Sequence, residues 1–124
     1  MKILICEDEE IMLTALEFRL RKQGYKVILA EDGKEAKEKI INEAPDFIVA
    51  DIMMPYVNGL ELISFVRKEQ KSKLPIIIIS ALDKDETVLE AFRLGADDFI
   101  TKPFKPNELI LRIKRIEQAI KLAD

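Results

Sequence analysis

Four apolar residues run directly into a carboxylate and a proline-limited turn in the stretch Asp46-Phe47-Ile48-Val49-Ala50-Asp51-Ile52-Met53-Met54-Pro55. A short apolar run bounded by turn signals is typical of a strand buried on both faces, so Asp51 should emerge at the carboxyl end of that strand. In open α/β sheets, ligands bind at that end. Asp51 is therefore the candidate reactive group, although an isolated aspartate after a strand more often only begins a turn.

Outward from this stretch, strand and helix patterns alternate five times. The other predicted strands are Ile3–Cys6, Val27–Ala30, Ile76–Ser80 and Asp98–Thr101. The predicted helices are Glu10–Gln23, Lys34–Glu43, Leu60–Gln70, Asp83–Leu94 and Pro106–Leu122. Strict alternation requires right-handed crossovers and a parallel sheet covered by helices on both faces. The predicted fold class is therefore α/β, a doubly wound (βα)5 three-layer sandwich.

Each helix is expected to turn one apolar stripe toward the sheet. The expected inward residues are Met12, Ala15, Leu16 and Leu20 in the first helix, Ala36, Ile40 and Ala44 in the second, Leu62, Ile63 and Val66 in the third, and Leu109, Ile113, Ile116 and Ile120 in the last.

Composition describes a single globular domain over residues 1–124, with 48% apolar and 35% charged residues. The net charge of −3 comes from interspersed acids and bases, which disfavours direct nucleic-acid binding. No apolar run approaches membrane-spanning length, and the single Cys6 suits a reducing compartment, so a cytoplasmic location without membrane contact is expected. The chain has no histidine. Any metal must therefore have oxygen ligands, which points to Mg²⁺, with Mn²⁺ as an alternative.

Polar residues follow four of the five predicted strands: Glu7 and Asp8, then Asp51, Ser80 and Lys102. The second strand carries no comparable group, as expected if it lies at an edge in the order 2-1-3-4-5. The carboxyl ends of parallel strands share one edge of the sheet. We therefore expect these side chains to lie close together.

Three carboxylates gathered at one edge repel one another strongly. Two like charges at about 4 Å repel by roughly 4 kcal/mol at an effective dielectric constant near 20. Either one carboxylate is protonated or a divalent cation binds among Glu7, Asp8 and Asp51. A carboxylate beside Mg²⁺ and a lysine can attack phosphorus to form an acyl phosphate. In that chemistry Asp51 is the nucleophile, Lys102 balances the phosphoryl charge, and Ser80 hydrogen-bonds the new group.

The whole chain resembles a response-regulator receiver domain of two-component signalling, a CheY-like fold. The resemblance is carried by Glu7-Asp8, Asp51 with Met53-Met54-Pro55 and Gly59, Ser80-Ala81, and Gly95-Ala96-Asp97-Asp98-Phe99-Ile100-Thr101-Lys102-Pro103-Phe104. It implies that Asp51 accepts a phosphoryl group from a phosphohistidine on a sensor kinase or phosphotransfer protein. It also implies that Mg²⁺ is held by Asp8, Asp51 and the carbonyl of Met53, with Glu7 acting through water. The Lys102–Pro103 bond is expected to be cis.

The same resemblance implies a switch in which the Ser80 hydroxyl moves toward the phosphoryl group and the ring of Phe99 turns inward. An output domain or downstream protein would respond to this change. The receiver itself would be a monomer, or a homodimer that phosphorylation strengthens. The partner face expected from the last two helices and the fifth strand consists of Val88, Ala91, Phe99, Leu111 and Arg115. Asp98 and Arg112 match the charge pairs of related dimers, whereas Val88 and Glu90 stand where those dimers favour arginine.

Three other functions would use some of the same residue types or a similar fold. A haloacid-dehalogenase-like phosphatase uses the same residue types, but its nucleophile lies in an Asp-x-Asp pair after the first strand, where this chain has Glu7-Asp8-Glu9. A flavin or nucleotide binder of similar fold would need a glycine-rich phosphate loop, and no such loop follows any predicted strand. A pseudo-receiver would bind partners without phosphorylation. A receiver catalyses its own phosphorylation and dephosphorylation without turning over an external substrate many times.

Overall fold

The computed structural model describes residues 1–123. Its strands are β1 (Lys2–Cys6), β2 (Lys26–Ala30), β3 (Phe47–Asp51), β4 (Ile76–Ser80) and β5 (Asp98–Thr101). Its helices are α1 (Glu10–Lys22), α2 (Gly33–Glu43), α3 (Gly59–Ser64, continued by a π-helical segment over Phe65–Glu69), α4 (Asp85–Leu94) and α5 (Pro106–Ala123). Neighbouring strands pair in parallel in the order β2-β1-β3-β4-β5. The predicted fold class and strand order are confirmed.

The sheet separates two hydrophobic cores, because successive strand side chains point to opposite faces. Leu4, Ile48 and Ile78 face the core beneath α2, α3 and α4. Ile5, Val49 and Ile79 face the core beneath α1 and α5. The strands β3 and β4 are buried along their whole length, which explains why their sequences are almost entirely apolar.

Three of the expected inward residues are wrong. Leu13 rather than Ala15 completes the buried stripe of α1, and Ala15 is exposed. Ala44 is exposed because it caps α2 in the left-handed conformation, with φ of 47°. Ile120 is also exposed, since it lies two turns beyond Ile113, the last buried residue of α5.

None of the described helices combines the length and the apolar composition needed to cross a membrane.

A tight turn centred on Tyr56 follows β3. The N–H of Val57 donates to the carbonyl oxygen of Pro55 at 2.8 Å, and Tyr56 has φ of 69°. This is a γ-turn with its central residue at positive φ, a strained conformation for an aromatic residue. The N–H of Gly33 donates to the same Pro55 oxygen at 3.1 Å. A Cβ atom at Gly33 would lie 1.9 Å from the oxygen of Val57, so only glycine allows this approach.

Replacing Tyr56 should relieve that strain. Asparagine tolerates positive φ, so Tyr56→Asn is expected to raise the free energy of unfolding by about 1 kcal/mol in urea titration. Tyr56→Phe keeps the strained backbone and the exposed ring, and it should unfold at the wild-type urea concentration. Equal stability of the asparagine variant and wild type would contradict the assigned strain.

Candidate functional site

The carboxyl edge of the sheet brings together the acids expected from the sequence. Glu7 follows β1, Asp51 ends β3, and the carboxylate oxygens of Glu7, Asp8 and Asp51 include a set lying within 4.8 Å of one another. Asp51 is 5% exposed, and Glu7 is completely buried. Lys102 follows β5, and its Nζ donates to Asp51 Oδ2 at 2.7 Å and to Glu7 Oε1 at 2.5 Å. One ammonium group therefore bridges two carboxylates from two different strands.

The turn after β3 orients the Asp51 carboxylate. The N–H of Met53 donates to Asp51 Oδ1 at 3.2 Å, while Lys102 binds the other oxygen. The N–H of Gly59 donates to the Ile52 carbonyl at 2.9 Å. A Cβ atom at Gly59 would lie 2.4 Å from the Asp51 carbonyl oxygen, so a glycine is needed where α3 begins. Asn58 caps α3 by accepting the N–H of Glu61 at 2.8 Å.

Lys102 is positioned from β4 and β5 together. Its backbone N–H donates to the Ser80 carbonyl at 2.9 Å, and the Lys102–Pro103 bond is cis. Burial lowers the pKa of Lys102, but the hydrogen bonds to Asp51 and Glu7 and their negative charges outweigh it, so the pKa lies above its usual value. Glu9 lies 3.6 Å from Nζ, a contact that the sequence did not indicate. Lys102 is therefore a charged group at neutral pH.

Glu7 differs from the other acids by its complete burial. That burial raises its pKa to about 7, the charge of Asp51 adds to the increase, and the hydrogen bonds from Lys102 and from the N–H of Glu9 oppose it. The buried acid and the buried lysine thus support each other, since each would be costly to bury alone.

The donor set fits a divalent cation with oxygen ligands. If Glu7, Asp8 and Asp51 are ionised, Lys102 leaves two of their three negative charges unbalanced. Asp8 is exposed and forms no ion pair within residues 1–123. Asp8 and Met53 also line an open cleft of about 430 Å³ with Ile52, Met54, Pro55, Asn58 and Leu82. A hard cation among these oxygen atoms would resolve the repulsion.

Removing one acid tests this balance. Asp8→Asn is expected to raise the melting temperature of the metal-free protein by roughly a few degrees, because repulsion at the cluster falls. The same change should remove the stabilisation that Mg²⁺ gives to the wild type. A melting curve with and without Mg²⁺ measures both effects, with Asp83→Asn, which replaces an exposed acid outside the carboxylate cluster, as the control. A lower melting temperature for the metal-free Asp8→Asn protein would instead assign Asp8 a structural role.

Ser80 and Phe99 lie on the same face of the sheet. Ile78 is paired with Phe99 and Ser80 with Thr101, so the two residues are offset by two positions on neighbouring strands. Phe99 is partly buried and packs against the core beneath α4. The buried Ser80 hydroxyl accepts the N–H of Leu82 at 3.0 Å. The hydroxyl is therefore bonded to the loop that leads into α4.

The expected partner face needs one correction. Ala91 is completely buried against the sheet, so it does not line the surface. Leu89 and Phe92 are the exposed apolar residues of α4, and Leu89 lines a cleft with Leu60 of α3. The sequence of α4 does not settle this, because its apolar residues Val88, Leu89, Ala91 and Phe92 occupy more than one side of the helix.

The other residues predicted for this face are accessible to different degrees. Leu111 is 67% exposed on α5, whereas Val88 and Phe99 are intermediate. Asp98 accepts two hydrogen bonds from Arg112 at 2.9 Å and one from Arg115 at 3.5 Å. Asp98 is therefore already paired within the chain.

Comparison with known proteins gives consistent results. The family model described as the response regulator receiver domain matches residues 3–114. The alkaline phosphatase synthesis transcriptional regulatory protein PhoP of Bacillus subtilis is 42% identical over 122 residues, covering 98% of this chain and 50% of that protein. The chain thus spans about half the length of this curated relative.

Solved structures with the same fold are similar to this chain along nearly its whole length. The Francisella response regulator 1452 receiver domain is 36% identical with a TM-score of 0.90, over 96% of this chain and 98% of that one. A CheY-like receiver domain protein from Methanospirillum hungatei is 28% identical with a TM-score of 0.92, over 99% of this chain and 98% of that one.

Proposed function

The chain belongs to the response regulator receiver domains of two-component systems, and from that premise we propose that Asp51 accepts a phosphoryl group from a phosphohistidine. A phosphorylation switch is a general property of this family, and its members generally bind Mg²⁺ at an acidic pocket. The observation that carries the proposal is the Lys102 ammonium 2.7 Å from an Asp51 carboxylate that also lies beside Glu7 and Asp8.

The chemistry follows from these contacts. An Asp51 oxygen attacks phosphorus, the bond from phosphorus to the histidine nitrogen breaks, and that nitrogen retains the electron pair. The product is an acyl phosphate, and the charge on its oxygens is balanced by Lys102. Asp8, Asp51 and the Met53 carbonyl would hold Mg²⁺, with Glu7 acting through water. The bound ion would supply further neutralisation of the phosphoryl oxygens.

Labelling with a small phosphodonor tests the function directly. Incubation with Mg²⁺ and acetyl phosphate should add one phosphoryl group per chain, measured by intact-protein mass, and a chelator should prevent it. An unchanged mass would support a pseudo-receiver. Continuous release of phosphate over many turnovers would support a phosphatase. Either result would overturn the proposal.

The switch begins at the Ser80 hydroxyl. If the hydroxyl turns toward the phosphoryl group, it must leave the N–H of Leu82, so the loop before α4 loses a hydrogen bond. The space that the hydroxyl vacates lies on the face where Phe99 packs. Because phenylalanine has no hydroxyl, Phe99 would respond through packing alone.

Removing the Ser80 hydroxyl should leave phosphorylation intact but weaken the structural change that follows it at α4 and Phe99. Ser80→Ala is expected to be labelled to the same stoichiometry as wild type. The amide chemical-shift changes that labelling causes at α4 and Phe99 should fall at least about fivefold, measured by two-dimensional NMR. Ser80→Thr retains a hydroxyl and serves as the control. Undiminished shift changes in the alanine variant would exclude Ser80 as the link.

The proposed partners act before and after phosphorylation. A sensor histidine kinase or phosphotransfer protein would supply the phosphoryl group in the cytoplasm, and residues 1–124 would form one receiver domain. The accessible residues Val88, Phe99, Leu111 and Arg115 would form the surface that an output domain, a downstream protein or a second phosphorylated copy recognises.

A further inference from the structure

Arg67 joins three chain segments at the amino edge of the sheet, opposite the acidic cluster. Its Nη1 donates to the carbonyls of Ser72 and Leu74 at 3.0 and 2.7 Å, just after the π-helical segment. Its Nε and Nη2 donate to the carbonyl of Gly95 at 3.1 and 2.8 Å, and Nη2 also donates to Asp97 Oδ2 at 3.1 Å. The side chain is only 19% exposed, so these bonds are largely shielded from water.

One acceptor of Arg67, Asp97, is itself hydrogen-bonded to the start of β4. Asp97 Oδ2 also accepts the N–H of Ile76 at 2.8 Å, and the N–H of Asp97 donates to the Ile76 carbonyl at 2.8 Å. Gly95 ends α4 with φ of 119°. A Cβ atom at Gly95 would lie 2.8 Å from Arg67 Nε. The carboxyl end of α4 is therefore held against the guanidinium group and, through it, against the sheet.

The π-helical segment supplies Arg67. The N–H of Gln70 donates to the Phe65 carbonyl at 3.0 Å, five residues back, which widens this turn of the helix. The consecutive residues Phe65 and Val66 are both buried here, and Arg67 follows them at the position that reaches Gly95. π-Helical turns of this kind often occur where a side chain has a specific role.

The amino end of α4 has no comparable attachment. Lys84 precedes the helix without a side-chain capping bond, and residues 81–86 are all exposed. Ala91 is the one buried residue among the ten of α4. The hydrogen bond from Leu82 to the Ser80 hydroxyl is the attachment that phosphorylation would break.

We propose that Arg67 is a positioning residue that fixes the carboxyl end of α4, so that this helix moves about Gly95 and only its amino half is displaced by the switch. The functional part of this proposal rests on the phosphorylation proposed above. Three hydrogen bonds from one charged group, two to Gly95 and one to Asp97, hold the fixed end, and two more tie that group to the segment before β4. A single hydroxyl contact of Ser80 holds the loop at the other end of α4. A displacement that starts at Ser80 should therefore fade along α4 toward Gly95.

Relaxation-dispersion NMR of the unphosphorylated protein tests the fixed end. In Arg67→Met, which keeps much of the side-chain length but none of the donors, amides of residues 91–97 should show exchange with a displaced state. The population of that state should be about tenfold above wild type, the effect expected for losing charged hydrogen bonds. Arg93→Met, which removes an exposed arginine from α4 itself, should leave the exchange of these amides at the wild-type level. If Arg67→Met proves unfolded by circular dichroism, Arg67→Lys must show the same local exchange.

The second measurement maps amide chemical shifts after adding Mg²⁺ and beryllofluoride. In wild type, the changes should concentrate in residues 81–88 and decline toward residue 95. In Arg67→Met they should extend through residues 91–97. Unaltered exchange at residues 91–97, or equal new exchange in every helix, would overturn the positioning role. A wild type that fails to respond to beryllofluoride would contradict the proposed function but leave the measurement on the unphosphorylated protein valid.

Discussion

Asp51→Asn is expected to show no added phosphoryl mass after incubation with Mg²⁺ and acetyl phosphate, under conditions that label the wild type completely. The neutral amide keeps the size of the side chain but is a poor nucleophile, and it cannot form the acyl phosphate. It also removes one of the two carboxylates that accept hydrogen bonds from Lys102. The loss should therefore be total rather than partial, and intact-protein mass spectrometry measures it in a single experiment.

The control for this change is Asp83→Asn. Asp83 is an exposed acid in the loop between β4 and α4, outside the carboxylate cluster. It should be labelled like the wild type, which shows that a general loss of negative charge is not the cause. If Asp51→Asn were instead labelled to full stoichiometry at another residue, Asp51 would not be the phosphoryl acceptor.

Gly59→Ala is expected to lower the free energy of unfolding by about 3 kcal/mol, measured by urea titration. The added Cβ atom would lie 2.4 Å from the Asp51 carbonyl oxygen and 2.8 Å from the Ile52 Cα atom. Both neighbours are backbone atoms, so the clash is relieved only by moving the chain that carries Asp51. Labelling of the folded variant should slow by about tenfold or more, since small misplacements of a nucleophile are costly.

Gly24→Ala separates this clash from the general effect of replacing glycine. Gly24 has φ of 90° but nothing within 4 Å of an added Cβ atom. Its replacement should cost only about 1 kcal/mol of backbone strain and leave the labelling rate unchanged. Similar losses of stability in both variants, with labelling unaffected in both, would show that Gly59 is not needed to position Asp51.

The positions of the strands could be predicted from the sequence because buried parallel strands consist almost entirely of apolar residues. The apolar runs before Asp51 and Ser80 located β3 and β4, and the polar residues at their ends located one edge of the sheet. Glu7, Asp8, Asp51 and Lys102 were expected together there, and the structure places them together.

Helix phase was harder to predict, since amphipathic patterns with alanine are ambiguous. In α4 both Ala91 and its neighbour Phe92 are apolar enough to face the sheet, but only Ala91 is buried and Phe92 is exposed. The role of Arg67 was also missed. Its partners are mostly backbone carbonyls from two other segments of the chain, and no side-chain pattern in one sequence reports such contacts.

The central sheet also acts as a partition between two separately packed halves of the molecule. Residues beneath α1 and α5 do not share a core with those beneath α2, α3 and α4. Evolution can therefore remodel one half while the other keeps its shape.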